Sequence, residues 1–508
     1  SVTAQYFAAK ASVGCAGAVR HALFAHVQTL SFSNLDTIGA STLITRMTSD
    51  VNQVQSGLNL TLRLLLRSPF VVFGAMIMAF TIDVRSALIF AVTIPILSLV
   101  VFGIMLITMP LYKKVQGQLD GVLSSTRESL SGARVIRAFR MEEAAAAEFN
   151  TRNETLTATQ KFVGKISALM NPITYVIINA AIILLLYTGA VQVDTGVLTQ
   201  GQVVALYNYM SQILIELVKM ANMIIQLTKA AACAKRIEDV LDTKPTQTWS
   251  DTAPETLPAD NRVAFSHVSL RYAGAGAESL TDISFTARPG ETIGIIGGTG
   301  SGKSSLVQLI PRFYDATGGT VTVDGVDVQS YPADMLRGRI GFVLQRATLF
   351  HGTIRDNLKW GQPDATDAEL QYAMEQAQAG EIFAAKGLDH MLEQDGRNLS
   401  GGQRQRLTIA RALVRKPEIL ILDDSASALD LATDAALRKA ISEIDYHPTV
   451  FIVSQRTSSL RQADEILVLD DGVLVGKGDH DTLLATCDVY REIHESQTGG
   501  AKKGGRTE

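Results

Sequence analysis

Cysteine and charge are both scarce in this 508-residue sequence. Its three cysteines, Cys15, Cys233 and Cys487, lie far apart and form no CxxC or Cys/His spacing, which argues against a disulfide framework and against a zinc site. Charged residues make up only 19% of the chain, the formal net charge is -4, and no basic stripe stands out, so we expect no nucleic-acid partner. An initial Met and a signal-peptide pattern are also missing, and we expect an N-terminally truncated chain.

Long apolar stretches, by contrast, are abundant in the first part of the chain. The chain is too long for a single ordinary core, and its mean hydropathy of +0.17 is high for a soluble protein. The long apolar runs precede residue 235, whereas the later sequence has the composition of a soluble α/β enzyme. We predict an all-α polytopic transmembrane domain at 1–235, a linker at 236–261, an α/β domain at 262–498 and a flexible tail at 499–508.

Segments of about 20 mostly apolar residues can cross a membrane as helices. The first part contains four, at 58–82, 86–111, 173–191 and 203–227. The second of them has no charge at all, which argues against buried helices of a soluble protein. Between the second and third lie Lys113, Lys114, Arg134, Arg137, Arg140, Lys161 and Lys165. The positive-inside rule therefore places residues 112–165 in the cytoplasm, and helical patterns there and at 20–57 predict helices that extend beyond the membrane.

The fourth apolar segment is the most polar. It carries Asn208, Gln212, Glu216, Lys219, Asn222 and Gln226. Ionisable residues inside a membrane are costly and usually face a cavity or a partner, and the i,i+3 spacing allows Glu216 and Lys219 to pair. One interpretation is a substrate cavity lined by Asn208, Glu216, Lys219 and Asn222. The other is a structural ion pair, or a position near the hydrated cytoplasmic end, and the sequence leaves both open.

A glycine-rich loop follows a buried strand at 291–296. Its residues, together with the one after it, are Gly297, Gly298, Thr299, Gly300, Ser301, Gly302, Lys303, Ser304 and Ser305. This is G-x-x-x-x-G-K-[ST] between a strand and a helix. The glycines let backbone N–H groups curl around phosphate oxygens, while Lys303 reaches the outer phosphates and Ser304 offers a hydroxyl to Mg²⁺. The pattern predicts a P-loop that binds ATP and Mg²⁺.

A second strand supplies carboxylates. The apolar run 419–423 ends in Asp423, and Asp424 follows it. Asp423 is where a P-loop NTPase carries its second Mg²⁺-site element, and Asp424 lies where a base that activates water would be placed. The alternative, an acid that merely ends a strand, is a poor explanation beside a P-loop.

The sequence LSGGQRQR at 399–406 matches the signature motif of ABC ATPases, which other P-loop families lack. The chain therefore resembles that family, and the resemblance assigns roles to further residues. It implies that Tyr272 stacks on adenine, that Gln345 is the Q-loop glutamine at Mg²⁺, and that Gln455 occupies the switch position. Ser427 and Asp430 resemble the D-loop. The signature residues, which act on ATP bound by a partner subunit, are Leu399, Ser400, Gly401, Gly402 and Gln403.

The membrane part resembles the exporter subfamily at 39–55, 131–139 and 234–242. A half-transporter of this kind has six membrane helices, and we expect the present sequence to begin within the second. The resemblance implies export of amphipathic compounds, drugs or lipids, through the lipid bilayer of a bacterial cytoplasmic membrane, with the ATPase domain in the cytoplasm. It also implies that two ATPase domains close head to tail around ATP.

Two positions depart from the family pattern. Active members carry Glu directly after the strand aspartate and His at the switch, whereas this chain has Asp424 and Gln455. Since the signature is intact, the resemblance implies a heterodimer in which this chain holds a slow, degenerate site and a second half-transporter supplies the competent Glu and His. The alternatives are a homodimer with two slow sites and an ATP-gated regulator or channel. A soluble ABC ATPase conflicts with the segments 58–82 and 86–111.

Overall fold

The computed structural model describes residues 2–254, 260–425 and 427–503, and of Leu214, Val218, Ala221, Asn222, Ile225 and residues 499–503 it describes only the backbone. The chain divides into two compact units. The first comprises Ser1–Gln28 and Ser41–Thr243, and the second comprises Thr29–Ala40 and Lys244–Glu508.

The N-terminal part is helical. Its helices are α1 Val2–Thr29, α2 Phe32–Ile38, α3 Ala40–Thr45, α4 Val51–Leu60, α5 Arg67–Ile82, α6 Val84–Ser131, α7 Ala133–Ala138, α8 Glu142–Ala168, α9 Met170–Asp194 and α10 Gln200–Leu241. Widened π-helical turns at Arg46–Asp50 and Thr61–Leu65 connect α3, α4 and α5, so that Ala40–Ile82 runs as a single helix of 43 residues.

Three helices of the described residues are long and apolar enough to cross a membrane: Ala40–Ile82, Val84–Ser131 and Glu142–Asp194. They contain the first three predicted segments, and their lengths confirm that the helices extend beyond the apolar stretches. The fourth predicted segment, 203–227, is helical as part of α10. It is not among the three, and the side chains of five of its residues lie outside the described part of the chain.

The hydrophobic core of the first unit consists of apolar side chains from α5, α6, α9 and α10. Ala79 and Phe90 are fully buried there, as are Leu185 and Ile213. Small residues at such positions let helices approach closely, which drives helix association where no hydrophobic effect operates. At the turn before α6, Asp83 caps the helix by accepting a 2.7 Å hydrogen bond from the backbone N–H of Ser86.

The second unit contains the strands. They are β1 Val263–Leu270, β2 Leu280–Ala287, β3 Thr292–Gly297, β4 Gly318–Val323, β5 Val326–Asp327, β6 Ile340–Val343, β7 Gly352–Thr353, β8 Met391–Leu392, β9 Ile419–Asp423, β10 Thr449–Val453, β11 Glu465–Asp470 and β12 Val473–Gly478. Its later helices are α11 Lys303–Gln308, α12 Ala333–Gly338, α13 Ile354–Lys359, α14 Asp367–Gln376, α15 Gly380–Lys386, α16 Gly401–Val414, α17 Leu431–Ser442, α18 Thr457–Leu460, α19 His480–Thr486 and α20 Asp488–Lys503.

Two sheets organise this unit. One has the order β2-β1-β4-β5 with antiparallel pairs, and the other has the order β12-β11-β3-β10-β9-β6. A third, two-stranded sheet pairs β7 with β8. In the larger sheet β11, β3, β10, β9 and β6 run parallel, which suits their nearly continuous apolar sequences. The carboxyl ends of parallel strands meet at one edge, where ligands bind in open α/β sheets. The P-loop after β3, Asp423 on β9 and the residues after β10 all lie at this edge.

Three boundaries differ from the sequence prediction. Helix α10 runs to Leu241, beyond the linker start predicted at 236, because Lys235 forms helix-supporting ion pairs of 3.2 Å with Glu238 and 3.3 Å with Asp239. The segment Thr29–Ala40 groups with the second unit rather than with the membrane helices. Helix α20 continues to Lys503, into the predicted tail, while 504–508 and 255–259 of the linker lie outside the described residues.

The segment Thr29–Ala40 joins the second unit through α2. The ring of Phe32 lies 4.6 Å from that of Phe313. Tyr314 donates a 2.6 Å hydrogen bond from its hydroxyl to Oδ2 of Asp36, and burial together with this carboxylate raises the pKa of the Tyr314 phenol. A short helix from the N-terminal part of the chain is thus held beside the sheet domain.

Candidate active site

The P-loop has the backbone that its glycines permit. Gly300 has φ +86° and Gly302 has φ +94°, a region that residues with a Cβ rarely adopt. At Gly302 a Cβ would also lie 2.7 Å from the carbonyl oxygen of Ser279. The loop therefore wraps tightly between β3 and α11, the conformation in which backbone N–H groups of a P-loop can surround phosphate oxygens.

The Lys303 side chain lies inside the P-loop and is hydrogen-bonded to it. It is buried, and its Nζ donates hydrogen bonds of 3.0 Å to Gly297 O, 2.5 Å to Gly298 O and 3.4 Å to Ser301 Oγ. Burial lowers the pKa of the Lys303 ammonium, and the nearby carboxylates of Asp424 and Asp423 oppose this effect. A cation held in this cradle can turn from backbone carbonyls to the outer phosphates of a nucleotide.

Ser304 and Asp423 form the second part of the site. Ser304 Oγ donates a 2.8 Å hydrogen bond to Oδ1 of Asp423, which is only 2% exposed at the end of β9. Burial raises the pKa of the Asp423 carboxyl, although the hydrogen bond from Ser304 lowers it in part. Hydroxyl and carboxylate oxygens are the hard ligands that Mg²⁺ prefers. The described residues contain no cluster of three His, Cys, Asp or Glu that could hold a metal ion.

Asp424 lies beside this pair in a left-handed conformation, with φ +44°. Its N–H donates a 3.1 Å hydrogen bond to Val453 O, and its Oδ2 accepts one of 3.2 Å from Nε2 of Gln345. Burial raises the pKa of the Asp424 carboxyl, against the effect of the Gln345 amide and of Lys303. The predicted base position and the predicted Q-loop residue are therefore in direct contact.

Tyr272 lies next to the helix that begins with the P-loop lysine. Its hydroxyl donates a 2.9 Å hydrogen bond to Oγ of Ser305, and its ring meets that of Tyr314 edge to face at 4.9 Å. Burial raises the pKa of the Tyr272 phenol. The ring is thus held beside the helix that follows the P-loop, and its stacking on adenine stays a prediction.

The switch position holds a contact that sequence reasoning missed. Gln497, on α20, donates a 2.6 Å hydrogen bond from Nε2 to the carbonyl oxygen of Gln455. Its Oε1 accepts a 2.9 Å hydrogen bond from the N–H of Thr457 and one of 3.1 Å from the Thr457 hydroxyl. Residues Asp424, Ser427, Gln455, Arg456 and Gln497 line one cavity here. No motif in the sequence points to Gln497.

The signature motif begins helix α16. Ser400 caps it, since Gln403 N–H donates to Ser400 Oγ at 3.2 Å and Ser400 N–H donates to Gln403 Oε1 at 3.1 Å. Leu399 is buried while Ser400 and Gly401 are exposed, and a Cβ on Gly401 would meet no described atom within 4 Å. The motif is thus open on the side that would face another molecule.

The D-loop residues lie between the base position and α17. Ser427 donates a 2.9 Å hydrogen bond to the carbonyl oxygen of Asp424, and Asp430 caps α17 by accepting one of 2.9 Å from Thr433 N–H. A Cβ on Gly402 of the signature would lie 3.3 Å from Ala428 O. The described contacts therefore connect the signature with the D-loop and not with the P-loop of the same chain.

In the membrane unit, the ion pair predicted in the fourth segment is present. Lys219 Nζ lies 3.2 Å from Oε1 of Glu216, whose carboxylate is buried. Asn208 is exposed, and the side chain of Asn222 lies outside the described residues. A hydrogen bond of 2.7 Å from Ser68 Oγ to Glu216 Oε2 connects α5 with α10, and no sequence pattern predicts it.

Comparisons with known proteins agree with this architecture. The family model for the ABC transporter transmembrane region matches residues 1–217, and the ABC transporter model matches residues 280–427. The ABC transporter ATP-binding protein Rv1273c of Mycobacterium tuberculosis is 38% identical over 511 residues, which covers 99% of this chain and 88% of the relative. A fatty acid ABC transporter ATP-binding/permease protein of the same organism is 34% identical over 469 residues, covering 92% and 74%.

A solved structure has the same fold. It is a bacterial Atm1-family ABC exporter with ATP bound, with a TM-score of 0.81 at 23% identity, covering 96% of this chain and 86% of that one. The relatives, the two family models and the shared fold all place a transmembrane helical domain before an ATPase domain. The chain therefore belongs to the ABC transporter family, whose members couple ATP hydrolysis to transport.

Proposed function

We propose that this chain is the degenerate-site half of a heterodimeric ABC exporter, which moves amphipathic compounds, drugs or lipids, out across the bacterial cytoplasmic membrane. The observation that carries the proposal is Asp424 at the base position and Gln455 at the switch, beside an otherwise complete ATP site. The relatives described above are bacterial, and the cluster of basic residues in 112–165 favours a cytoplasmic ATPase domain.

The site has what it needs to hold ATP with Mg²⁺. Lys303 can turn to the outer phosphates, and Tyr272 can support adenine. Ser304 and Asp423 lie in hydrogen-bond contact, and the amide oxygen of Gln345 is a third oxygen ligand of suitable chemistry. When bound, Mg²⁺ neutralises charge on the phosphates. We therefore expect firm nucleotide binding at this P-loop.

Hydrolysis at the same site is expected to be slow. Asp is one methylene shorter than the Glu of active family members, and a misplacement of about 1 Å can lower a rate by about 10²-fold. The Asp424 carboxylate is also held by Gln345 at 3.2 Å, so it would have to leave that amide to orient a water molecule. Gln455 can donate a hydrogen bond, but its amide cannot take up a proton as a histidine does.

The intact signature motif supports different roles for the two ATP sites of the dimer. Ser400 and Gly401 are exposed at the start of α16, where helix N–H groups and a serine hydroxyl suit an incoming γ-phosphate. We propose that they act on ATP held by a second half-transporter, which carries the competent Glu and His. ATP has higher affinity for the closed pair of ATPase domains, so its hydrolysis lets them open and changes the side of the membrane that the substrate site faces.

Purified protein tests this proposal. The chain alone is expected to have low ATPase activity, and the pair co-expressed with its partner is expected to hydrolyse ATP and to transport fluorescent lipids or drugs in vesicles. Brisk turnover by the chain alone that Asp424→Ala abolishes would overturn the heterodimer in favour of a homodimer. ATPase activity of the pair without vectorial transport of any probe would favour the ATP-gated regulator or channel.

A further inference from the structure

A buried carboxylate lies one helical turn after the D-loop. Asp434, on α17, is 2% exposed, and its N–H donates a 3.0 Å hydrogen bond to the carbonyl oxygen of Asp430. The proposed ATP hydrolysis does not use this group. Because a buried charge is costly unless it is paired and hydrogen-bonded, the partners of Asp434 show which parts of the domain it holds together.

Two side chains hold the Asp434 carboxylate. Ser459, on α18, donates a 2.9 Å hydrogen bond from Oγ to Oδ2 of Asp434, and Ser459 is itself 2% exposed. Nη2 of Arg438, one turn further along α17, lies 3.1 Å from the same oxygen. Arg438 also donates hydrogen bonds from Nη1 to the carbonyl oxygens of Ser459 at 3.2 Å and Ser458 at 3.4 Å. Helix α17 thus holds α18 both by a side chain and by the backbone.

Helix α18 follows the switch residue. Gln455 lies between β10 and α18, and it lines a cavity together with Asp424 and Ser458. Because α18 is a single turn of four residues, a displacement of Ser459 is passed to the start of the helix rather than absorbed along its length. The hydrogen bond from Ser459 to Asp434 therefore restricts where Gln455 can lie.

The start of α17 leads to the signature motif. Asp430 caps this helix by accepting hydrogen bonds of 2.9 Å from the N–H and 2.8 Å from the hydroxyl of Thr433. In the D-loop just before it, Ala428 O would lie 3.3 Å from a Cβ on Gly402 of the signature. The D-loop is therefore close to the motif that the proposed function places at the ATP of a second subunit.

We propose that Asp434 is a positioning residue that connects the D-loop to the switch, so that a displacement of the D-loop changes how firmly this chain's P-loop holds ATP. The inference rests on the proposed function, in which the signature and the D-loop act at the second subunit's ATP. Coupling between two sites requires a physical element that both sites displace. Helices α17 and α18, joined through Asp434, Ser459 and Arg438, form that element.

A double-mutant cycle on the full-length protein tests this connection. Substituting Asp434 itself would leave the Arg438 guanidinium without its carboxylate and would endanger folding. Ser459→Ala instead removes the hydrogen bond between the two helices and leaves Asp434 paired with Arg438, while Asp430→Ala loosens the start of α17. Stopped-flow release of a ribose-labelled fluorescent ATP analogue in Mg²⁺ is measured for each single variant and for the double variant.

Each single variant should release the analogue about fivefold faster than wild type, the effect of about one lost hydrogen bond. Because both changes act along one path, the double variant should be no faster than the faster single variant. Ser459→Thr keeps the hydroxyl and should release the analogue at the wild-type rate. The control is Ser442→Ala, which removes a hydroxyl that donates to Lys439 O at 2.8 Å within α17, and it should leave release unchanged.

Effects that multiply in the double variant, to about 25-fold, would overturn the inference, because the two changes would then act independently. Wild-type release in Ser459→Ala would also overturn it and would reduce the bond to Asp434 to a structural contact, as would fast release in Ser459→Thr. The proposed function fails through a different result, brisk ATP turnover by the chain alone that Asp424→Ala abolishes, so the two failures can be told apart.

Discussion

Nε2 of Gln345 lies 3.2 Å from Oδ2 of Asp424 and donates a hydrogen bond to it. The residue expected to sense the nucleotide and the residue expected to activate water are thus hydrogen-bonded to each other. A carboxylate engaged in this way would have to leave the amide before it could orient a water molecule. This contact gives the slow-site proposal a structural basis.

Restoring the longer side chain should restore hydrolysis. Asp424→Glu extends the carboxylate by one methylene, and we expect turnover at this site to rise at least about tenfold, since general-base catalysis contributes about 10²–10⁴-fold in favourable cases. The measurement is single-turnover ATP hydrolysis by the pair with the partner's own site disabled. Asp389→Glu, at a surface carboxylate that is 80% exposed, is the matched control. An unchanged rate in Asp424→Glu would show that the base position does not limit this site.

Acid–base linkage gives an independent prediction for Asp423. Burial raises the pKa of this carboxyl, so the folded state binds its proton more tightly than the unfolded chain does. The free energy of unfolding therefore falls as pH rises from the ordinary pKa of about 3.9 through the raised value. Asp423→Asn should raise the unfolding temperature of the nucleotide-free domain at pH 7, and the gain should vanish below about pH 4.

The pKa of Asp430 is shifted in the direction opposite to that of Asp423. Hydrogen bonds from Thr433 lower the pKa of this exposed carboxyl, so its stabilisation is present above the ordinary pKa and is lost as pH falls through the lowered value. Asp430→Ala should therefore lower the unfolding temperature at pH 7. If both substitutions shift stability in the same direction at pH 7, burial of Asp423 does not have the effect described.

Much of the ATP site could be predicted because its residues belong to contiguous motifs. Lys303 and Ser304 follow a strand, Asp423 ends another, and parallel strands bring their carboxyl ends together, so the 2.8 Å contact of Ser304 with Asp423 follows from local patterns. The ends of the helices were harder to predict from the sequence. Helix α10 continues through the predicted start of the linker, where Lys235 forms ion pairs with Glu238 and Asp239.

Contacts between distant residues could not be derived in this way. Asp36 and Tyr314 are 278 positions apart, and Ser68 and Glu216 are 148 apart. A sequence pattern shows the periodicity of one helix or strand. It does not show which polar side chain of a distant element forms a hydrogen bond with it. Gln497 belongs to the same class, since α20 carries no ATPase motif.

The contact of Gln497 with the switch segment predicts a role in positioning. Gln497→Ala removes the 2.6 Å hydrogen bond to Gln455 O and both bonds from Thr457, so we expect faster release of ATP from this chain's P-loop. Gln497→Glu keeps the acceptor for Thr457 but places a carboxylate against the Gln455 carbonyl, and should accelerate release as much as the alanine variant.

Stopped-flow release of a fluorescent ATP analogue measures this, and Glu495→Ala, an exposed neighbour on α20, is the control. Release rates equal to wild type in both Gln497 variants would limit Gln497 to a structural contact.

Tyr272 should contribute affinity without contributing to hydrolysis. An aromatic stacked on a base is worth about 1–3 kcal/mol, so Tyr272→Ala should weaken ATP binding by about tenfold or more. Tyr272→Phe loses the hydrogen bond to Ser305 but keeps the ring, and should bind ATP nearly as well as wild type. Equilibrium titration with ATP in Mg²⁺ separates the two, and equal losses in both variants would assign the effect to the hydroxyl rather than to the ring.

The central claim is that the signature motif of this chain acts at the faster ATP site of the partner, while the P-loop of this chain binds ATP and hydrolyses it slowly. Comparing two substitutions in the assembled pair tests this claim most directly. Ser400→Ala removes the signature hydroxyl, and Lys303→Ala removes the P-loop cation of this chain. We predict that steady-state ATPase activity falls much further with Ser400→Ala than with Lys303→Ala. A loss with Lys303→Ala equal to or greater than that with Ser400→Ala would contradict the account.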